Sequence, residues 1–273
     1  MLIASCRRQF HSPRIFSRQI EYRAIPDSRN PAGARRLDPG AVHEQAESRH
    51  VCILVHGYNN TLANVLDAYS DLQARMKTAG VSGASGYGLV MGFAWPGGAS
   101  ATGYGFARGA ADRAAGYLRQ LVNHLRPVTL SVDIQTHSLG ARVALGALQD
   151  PRQIFINNLL MTAAAVDNPI LEPGRPFHAS LGGCNRCLIY HSRKDPVLKL
   201  AYRLGDLHDG NHKALGLTGP RNKTVTLANC PNVYVVNCTE CVREHGDYRR
   251  AAPVFGHWRR VLSGDALERY ETA

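Results

Sequence analysis

The sequence predicts an α/β protein with a mostly parallel central sheet and helices on both faces. Short apolar runs alternate along the chain with segments whose apolar residues recur at helical spacing. Strands that alternate with helices are joined by right-handed crossovers, which place the strands parallel and cover both faces of the sheet. The length of 273 residues suits one such domain with a full core.

The elements follow one another in a regular order. Residues 51–55 form a continuous apolar run, which is typical of a strand buried on both faces. A helix is expected next, with an apolar face formed by Leu62, Val65, Leu66, Tyr69, Leu72 and Met76, and Gly80 ends it. Further strands are expected at residues 87–95, 128–136, 159–166, 187–190 and 233–236, and further helices at residues 110–125, 143–148 and 262–270.

The first 48 residues differ in composition from the rest. Four arginines (Arg7, Arg8, Arg14 and Arg18) precede the first acid, Glu21, as in a transit peptide. A solvated basic arm is the simpler interpretation. We therefore expect residues 1–48 to be a partly disordered basic arm, with one possible strand at residues 20–25. Residues 49–273 would form the α/β domain.

The charge and the apolar pattern restrict the partners that we expect. The net charge is +11, but the arginines are scattered among acids and no nucleic-acid-binding motif is present. No apolar run approaches the ~18 residues of a membrane span. We expect no nucleic-acid partner, no stable membrane insertion, no cofactor and a cytoplasmic location. The sequence leaves the oligomeric state open.

The seven cysteines include two CxxC pairs, Cys184/Cys187 and Cys238/Cys241. Together the pairs could form a four-thiolate zinc site. However, the first pair begins one predicted strand and the second follows the end of the next. Parallel strands would place the two pairs at opposite edges of the sheet. We expect no metal, and disulfide formation within a pair stays open.

A short turn between a strand and a helix carries the candidate nucleophile. Residues 136–140 match G-x-S-x-G, the nucleophile elbow, except that Thr136 replaces the first glycine. This turn would present Ser138 above the sheet at the start of the helix. The alternative is that Ser138 only caps the helix. His137 is adjacent on the turn, and we expect it to be packed rather than to act as the base.

The loop after the first core strand is the candidate oxyanion loop. Two backbone N–H groups can stabilise the charge that develops on a carbonyl oxygen during acyl transfer. One would come from Leu139, directly after the nucleophile, and the other from Tyr58 or Asn59. The loop can at the same time be a strand-to-helix turn, with Asn60 or Thr61 as the helix N-cap.

These segments together resemble a bacterial branch of the α/β-hydrolase family that is largely uncharacterised. The matching pieces are HGYNNT at residues 56–61, AWPG at 94–97, THSLGARV at 136–143, AAVD at 164–167, HSRKDPVL at 191–198, ALGLTGPR at 214–221 and EHGDY at 244–248. The resemblance covers about residues 50–262. It implies the α/β-hydrolase fold and a triad in the chain order serine, acid, histidine.

The resemblance places the acid at Asp195 and the base at His245. Asp167, one strand earlier, is the alternative acid, and His257 is the alternative base. The expected function is hydrolysis of a small carboxylic ester or thioester through an acyl-enzyme on Ser138. A hydrolase-shaped binding protein without turnover is the other hypothesis. Residues 198–230 are expected to form a wall over the site.

Overall fold

The computed structural model describes residues 1–27, 30–98, 104–205 and 212–273. The described part contains a ten-stranded sheet with the strand order β10-β9-β8-β7-β6-β4-β5-β1-β2-β3. Its strands are β1 (Leu2–Arg7), β2 (Phe16–Ala24), β3 (Arg35–Leu37), β4 (His50–Val55), β5 (Leu89–Ala94), β6 (Ser131–His137), β7 (Ile156–Thr162), β8 (Cys184–His191), β9 (Val233–Asn237) and β10 (Tyr270–Thr272). Its helices are α1 (Pro39–Ala46), α2 (Leu62–Thr78), α3 (Tyr104–Leu125), α4 (Gly140–Ala147), α5 (Pro196–Gly205), α6 (Leu215–Thr218), α7 (Lys223–Asn229) and α8 (Ala252–Ser263).

The sheet is mostly parallel, which confirms the predicted fold class. Only β2 and β3 run antiparallel to their neighbours. From β10 across to β1, every adjacent pair is parallel. The carboxyl ends of the parallel strands therefore meet at one edge, where open α/β sheets bind their ligands.

The central strands and the first long helix form where the apolar pattern predicts them. Residues 51–55 of β4 are all buried, as expected for a strand covered on both faces. The buried residues of α2 are the six that the helical spacing predicts. Thr61 is its N-cap and accepts a hydrogen bond from Asn64 N, and Gly80 beyond its end has a φ of 69°.

The expectation of a partly disordered arm at residues 1–48 is wrong. All six residues of β1 are buried, and β1 pairs in parallel with β5 inside the sheet. The strand expected at residues 20–25 forms part of β2, which pairs with β1. Residues 2–6 are a short, mostly apolar run beside several arginines. They pair with β5, almost ninety residues later in the sequence, and no local pattern indicates so distant a partner. The N-terminal segment is therefore an integral part of the sheet.

The end of the chain also differs from the prediction. The last helix is α8, which ends at Gly264 in the left-handed conformation with a φ of 74°. Residues 270–272 then form β10 beside β9, so no helix spans residues 262–270. The apolar residues of this segment were too few to separate a helix from an extended edge strand.

The two CxxC pairs lie at opposite edges of the sheet. Cys184 and Cys187 lie in the first half of β8, whereas Cys238 and Cys241 follow the end of the parallel strand β9. In the ranges that the structure describes, no group of three or more histidine, cysteine, aspartate or glutamate side chains could hold a metal ion. A search of the same ranges finds no helix that is long and apolar enough to cross a membrane.

Candidate active site

Ser138 occupies a strained turn between β6 and α4. Its φ is 57°, a left-handed conformation that a residue with a side chain rarely adopts. Such strain persists only where the surroundings enforce it, and it is characteristic of functional sites. Ser138 N donates to Thr162 O at 3.0 Å, and Ser138 O accepts from Ala165 N at 3.1 Å. The neighbouring strand β7 and the loop after it therefore hold the turn.

Two glycines allow the backbone segments of the site to approach one another closely. A Cβ on Gly140 would lie 2.5 Å from Val55 O, so only glycine lets α4 begin against the end of β4. A Cβ on Gly57 would lie 2.7 Å from the Cβ of Ser138. The loop after β4 therefore packs directly against the Ser138 turn, which is the position expected of the candidate oxyanion loop.

Asp195 and His245 are joined by a short hydrogen bond. His245 Nδ1 donates to Asp195 Oδ2 at 2.7 Å, which leaves Nε2 as the free nitrogen of the neutral ring. The Asp195 side chain is fully buried, and its other oxygen accepts from Leu198 N at 3.0 Å. His245 and Ser138 line the same cavity. The structure thus brings together the three residues that the family resemblance implies.

The loop that carries Asp195 is tied to the loop that carries His245. Ser192 Oγ donates to Val242 O at 2.6 Å. Arg193 N donates to Thr239 Oγ1 at 3.2 Å, and Lys194 forms an ion pair with Glu240. These contacts fix the two loops as one unit at the carboxyl ends of β8 and β9. The Asp195–His245 geometry is therefore supported by contacts between the two loops as well as by its own hydrogen bond.

His137, next to Ser138, also anchors the loop that carries His245. Its Nε2–H donates to His245 O at 2.9 Å, and the two rings meet edge to face with centroids 4.6 Å apart. Burial and the neighbouring His245 lower the pKa of His137 to about 3, so its ring is neutral at physiological pH. The sequence indicates a packed residue here but gives no sign of this contact, because 108 residues separate the pair.

A buried arginine from β1 contacts the candidate oxyanion loop. Arg7 is 1% exposed, and its Nε donates to Trp95 O at 3.0 Å. Its Nη2 lies 3.3 Å from His56 Nε2 and 3.4 Å from Asn60 O. Burial followed by the charge of Arg7 lowers the pKa of His56 to about 3. Because its ring stays neutral, His56 can accept from Trp95 N through Nε2 and donate from Nδ1 to Gly57 O.

The structure distinguishes between the candidate oxyanion donors. Asn59 N donates to Gly97 O at 3.2 Å, so this N–H is already used and the expectation for Asn59 is corrected. Leu139 N has no acceptor in the described part of the chain, at the point where α4 begins. Tyr58 lies in the loop beside Ser138 and lines the same cavity. Leu139 and Tyr58 remain the candidate pair.

The alternative acid and the alternative base lie in other environments. Asp167 forms a backbone bridge with Ala214, and no hydrogen bond between Asp167 and His245 occurs in the described residues. His257 is buried in α8, where Nδ1 contacts Tyr190 Oη at 2.8 Å and Nε2 contacts Glu271. His257 is not among the described residues that line the cavity of Ser138. Its contacts are those of a packed core histidine.

The cavity above Ser138 has a volume of about 590 Å³. One wall comes from α2, through Asn64, Asp67 and Asp71, and the opposite wall from residues 245–250. Asp71 lies 3.5 Å from both Arg249 and Arg250, so ion pairs bridge the two walls. None of the described residues from 198 to 230 lines this cavity, and residues 206–211 of the expected wall lie outside the described residues.

The fold and the strained serine turn define an α/β-hydrolase. Residues 40–227 match the family described as alpha/beta hydrolase of unknown function (DUF900), and the chain belongs to that family. Among solved structures, the chain is similar to a hyperthermophilic esterase from the archaeon Pyrobaculum calidifontis. The identity is 11% and the TM-score 0.40, and the match covers 85% of this chain and 78% of that one. No curated protein matches the sequence.

Proposed function

We propose that this protein is a serine hydrolase that cleaves a small carboxylic ester or thioester through an acyl-enzyme on Ser138. The observation that carries the proposal is the 2.7 Å hydrogen bond from His245 to the buried Asp195, in a cavity that also holds the strained Ser138. A serine hydroxyl is a weak nucleophile until an oriented base removes its proton. The strained turn and the Asp195–His245 pair would supply that activation.

Each residue has one role in the proposed mechanism. Ser138 Oγ attacks the carbonyl carbon while His245 Nε2 takes the hydroxyl proton. The N–H groups of Leu139 and Tyr58 stabilise the oxyanion, and Asp195 holds the imidazolium. His245 then gives the proton to the departing alcohol or thiol, which leaves an acyl group on Ser138. A water molecule, activated by His245, releases the acid and restores the serine.

The lining of the cavity favours a polar substrate of modest size. The walls from α2 and from residues 245–250 enclose about 590 Å³ and carry both charged and apolar side chains. Pockets of a few hundred cubic ångströms accept molecules of metabolite or drug size. The carboxylates and guanidinium groups favour a polar leaving group, whereas apolar side chains such as Val65, Leu72 and Trp258 can cover a short acyl chain. We therefore propose short acyl chains and a polar leaving group.

A fluorophosphonate probe followed by intact-mass spectrometry tests the proposal. The wild type should gain one adduct, S138A should gain none, and H245A should react at least about 100-fold more slowly, because general-base assistance contributes 10²- to 10⁴-fold. S85A is the matched control, because Ser85 is exposed on a surface loop. It should label like the wild type. A folded wild type that forms no adduct would favour the binding-protein hypothesis.

Turnover is then measured on p-nitrophenyl esters and acyl thioesters of increasing chain length. The rates should be highest for the shortest acyl chains and should vanish in S138A. Highest rates on chains of eight carbons or more would contradict the proposed substrate class while leaving the nucleophile intact.

A further inference from the structure

A second cavity lies at the carboxyl ends of the strands, beyond the Asp195–His245 pair. It has a volume of about 440 Å³. It shares no described lining residue with the catalytic cavity. Its lining includes His191, Arg193, Lys213, Arg221, Lys223 and Tyr270. The two cavities are therefore separate sites on the same edge of the sheet.

The charged side chains among the described lining residues of this cavity are all positive. Four of its lining side chains (Arg193, Lys213, Arg221 and Lys223) are cationic, and no carboxylate is among the described lining residues. None of the four forms an ion pair in the described part of the chain, whereas Lys194, next to Arg193, pairs with Glu240. Like charges held in one concavity repel one another, so an anion that binds there relieves their repulsion.

Hydrogen bonds of the backbone and one ring contact hold the segments that carry three of these cations. Asn168 N donates to Lys213 O at 2.8 Å, and Arg221 N donates to Asn168 O at 3.1 Å. Asn168 thereby ties together the chain segments that carry Lys213 and Arg221. Lys223 Nζ lies 3.3 Å from the centroid of the Tyr270 ring, a cation–π contact that holds a third charge in place.

Two polar side chains at the base of the cavity are buried, and each has an atom without a hydrogen-bond partner in the described part of the chain. His191 ends β8 and is 2% exposed, and its Nδ1 has no hydrogen-bond partner among the described residues. Asn168 is 7% exposed; its Nδ2 donates to Thr218 Oγ1, while its Oδ1 has no partner in the same ranges. Burial, and then the charges of Arg193 and Lys223, lower the pKa of His191 to about 4. The His191 ring is therefore neutral at physiological pH, and it lies close enough to Arg193 and Lys223 to be influenced by their charges.

We propose that this cavity binds a small anion through a phosphate group that carries at least two negative charges. Guanidinium forks match phosphate oxygens in pairs, and ammonium groups add point charges around them. A single carboxylate would leave most of the positive charge uncompensated. Inorganic pyrophosphate or polyphosphate and a phosphorylated metabolite share this chemistry. The site is independent of Ser138 chemistry.

Calorimetric titration with orthophosphate, pyrophosphate and tripolyphosphate tests the proposal at constant ionic strength. The affinity should rise along this series. R193Q and R221Q should each weaken pyrophosphate binding about tenfold, which is ~1.4 kcal/mol, because each variant loses a charge-assisted hydrogen bond to the anion. Both arginines are exposed, so the variants should fold, and circular dichroism checks this. R126Q is the matched control, since Arg126 is exposed and lies outside the cavity.

The possible outcomes distinguish a specific phosphate-binding site from non-specific attraction of anions by the net positive charge. No saturable binding of any of the three anions would overturn the proposal. Equal weakening by R126Q and R221Q would overturn it as well, because only net charge would then matter. Binding of a long polyanion without binding of pyrophosphate would show a surface for polymers instead.

S138A should bind pyrophosphate like the wild type, so failure of the proposed hydrolase activity leaves this test intact. Titration of a phosphorylated metabolite and free pyrophosphate side by side then distinguishes the two sources.

Discussion

At the scale of single residues, substitutions at Asp195 and Asp167 give the sharpest test of which residue acts as the acid. Asp195 is buried against His245, whereas Asp167 forms a backbone bridge with Ala214. D195N keeps the shape but removes the charge and the acceptor that fix the His245 tautomer, so turnover should fall about 10³- to 10⁴-fold. D167N is the matched control and should stay within a fewfold of the wild type. Steady-state kinetics on a short ester distinguish the two, and equal losses would contradict the assignment of Asp195.

His137 offers a second prediction at this scale. H137F keeps a ring on the nucleophile turn but removes the donor that reaches His245 O. A partly buried carbonyl that loses its partner costs about 1–3 kcal/mol, so the labelling rate of Ser138 should fall roughly 5- to 150-fold while KM changes little. H137Q retains a donor and should recover part of the rate. A labelling rate for H137F within twofold of the wild type would show that the contact only packs the loop.

The sequence identifies candidate site residues but not all of their partners. Ser138 could be predicted because a strand, a turn and a helix follow one another locally. Arg7 could not, because its contacts to Trp95 and His56 join strands far apart in the sequence. The use of Asn59 N depends likewise on Gly97, which only the folded chain brings near. Local sequence patterns thus indicate which residues belong to the candidate site better than they indicate the hydrogen-bond partners of those residues.

At the scale of elements, the amino-acid composition led to a wrong prediction for the strand β1. Arginine content indicated an arm, yet Leu2–Arg7 forms a buried strand between β5 and β2. By contrast, β4 and α2 were predicted closely, because an apolar run before a periodic helix is a strong local signal. The edge strand β10 has three residues, too few for any periodicity to show.

A pair of isoleucine substitutions tests the position of β1. Ile3 is fully buried in β1, whereas Ile15 is 53% exposed between β1 and β2. I3A should lower the free energy of unfolding by about 2–5 kcal/mol, because it leaves a cavity in the core. I15A should change it by less than about 0.5 kcal/mol. Urea denaturation measures both, and equally small effects would restore the solvated-arm interpretation.

At the scale of the whole molecule, buried neutral histidines couple stability to pH. The pKa values of His56 and His137 are lowered from 6.5 to about 3 in the folded protein. Between these values the unfolded chain binds more protons than the folded one, so stability falls as the pH falls from about 6.5 towards 3. Above 6.5 both states are neutral at these positions, and neither residue contributes to the pH dependence.

Denaturation at pH 7.5 and pH 5 measures this coupling. Each of the two histidines should remove about 2 kcal/mol of stability over the interval. H137Q lacks one of the two groups and should lose less stability between the two pH values than the wild type does. H50Q is the control, since His50 is exposed on β4. A loss in H137Q as large as in the wild type would contradict the linkage to His137.

The sheet ends on both sides in strands of only three residues, Arg35–Leu37 and Tyr270–Thr272. An added strand could form few backbone hydrogen bonds with either edge, and two adjacent arginines at Arg35 and Arg36 further oppose a second positively charged chain. A ten-stranded sheet with long open edges would be a template for pairing between molecules. Such short, charged edges instead protect this chain against edge-to-edge aggregation and make sheet extension an unfavourable route to self-association.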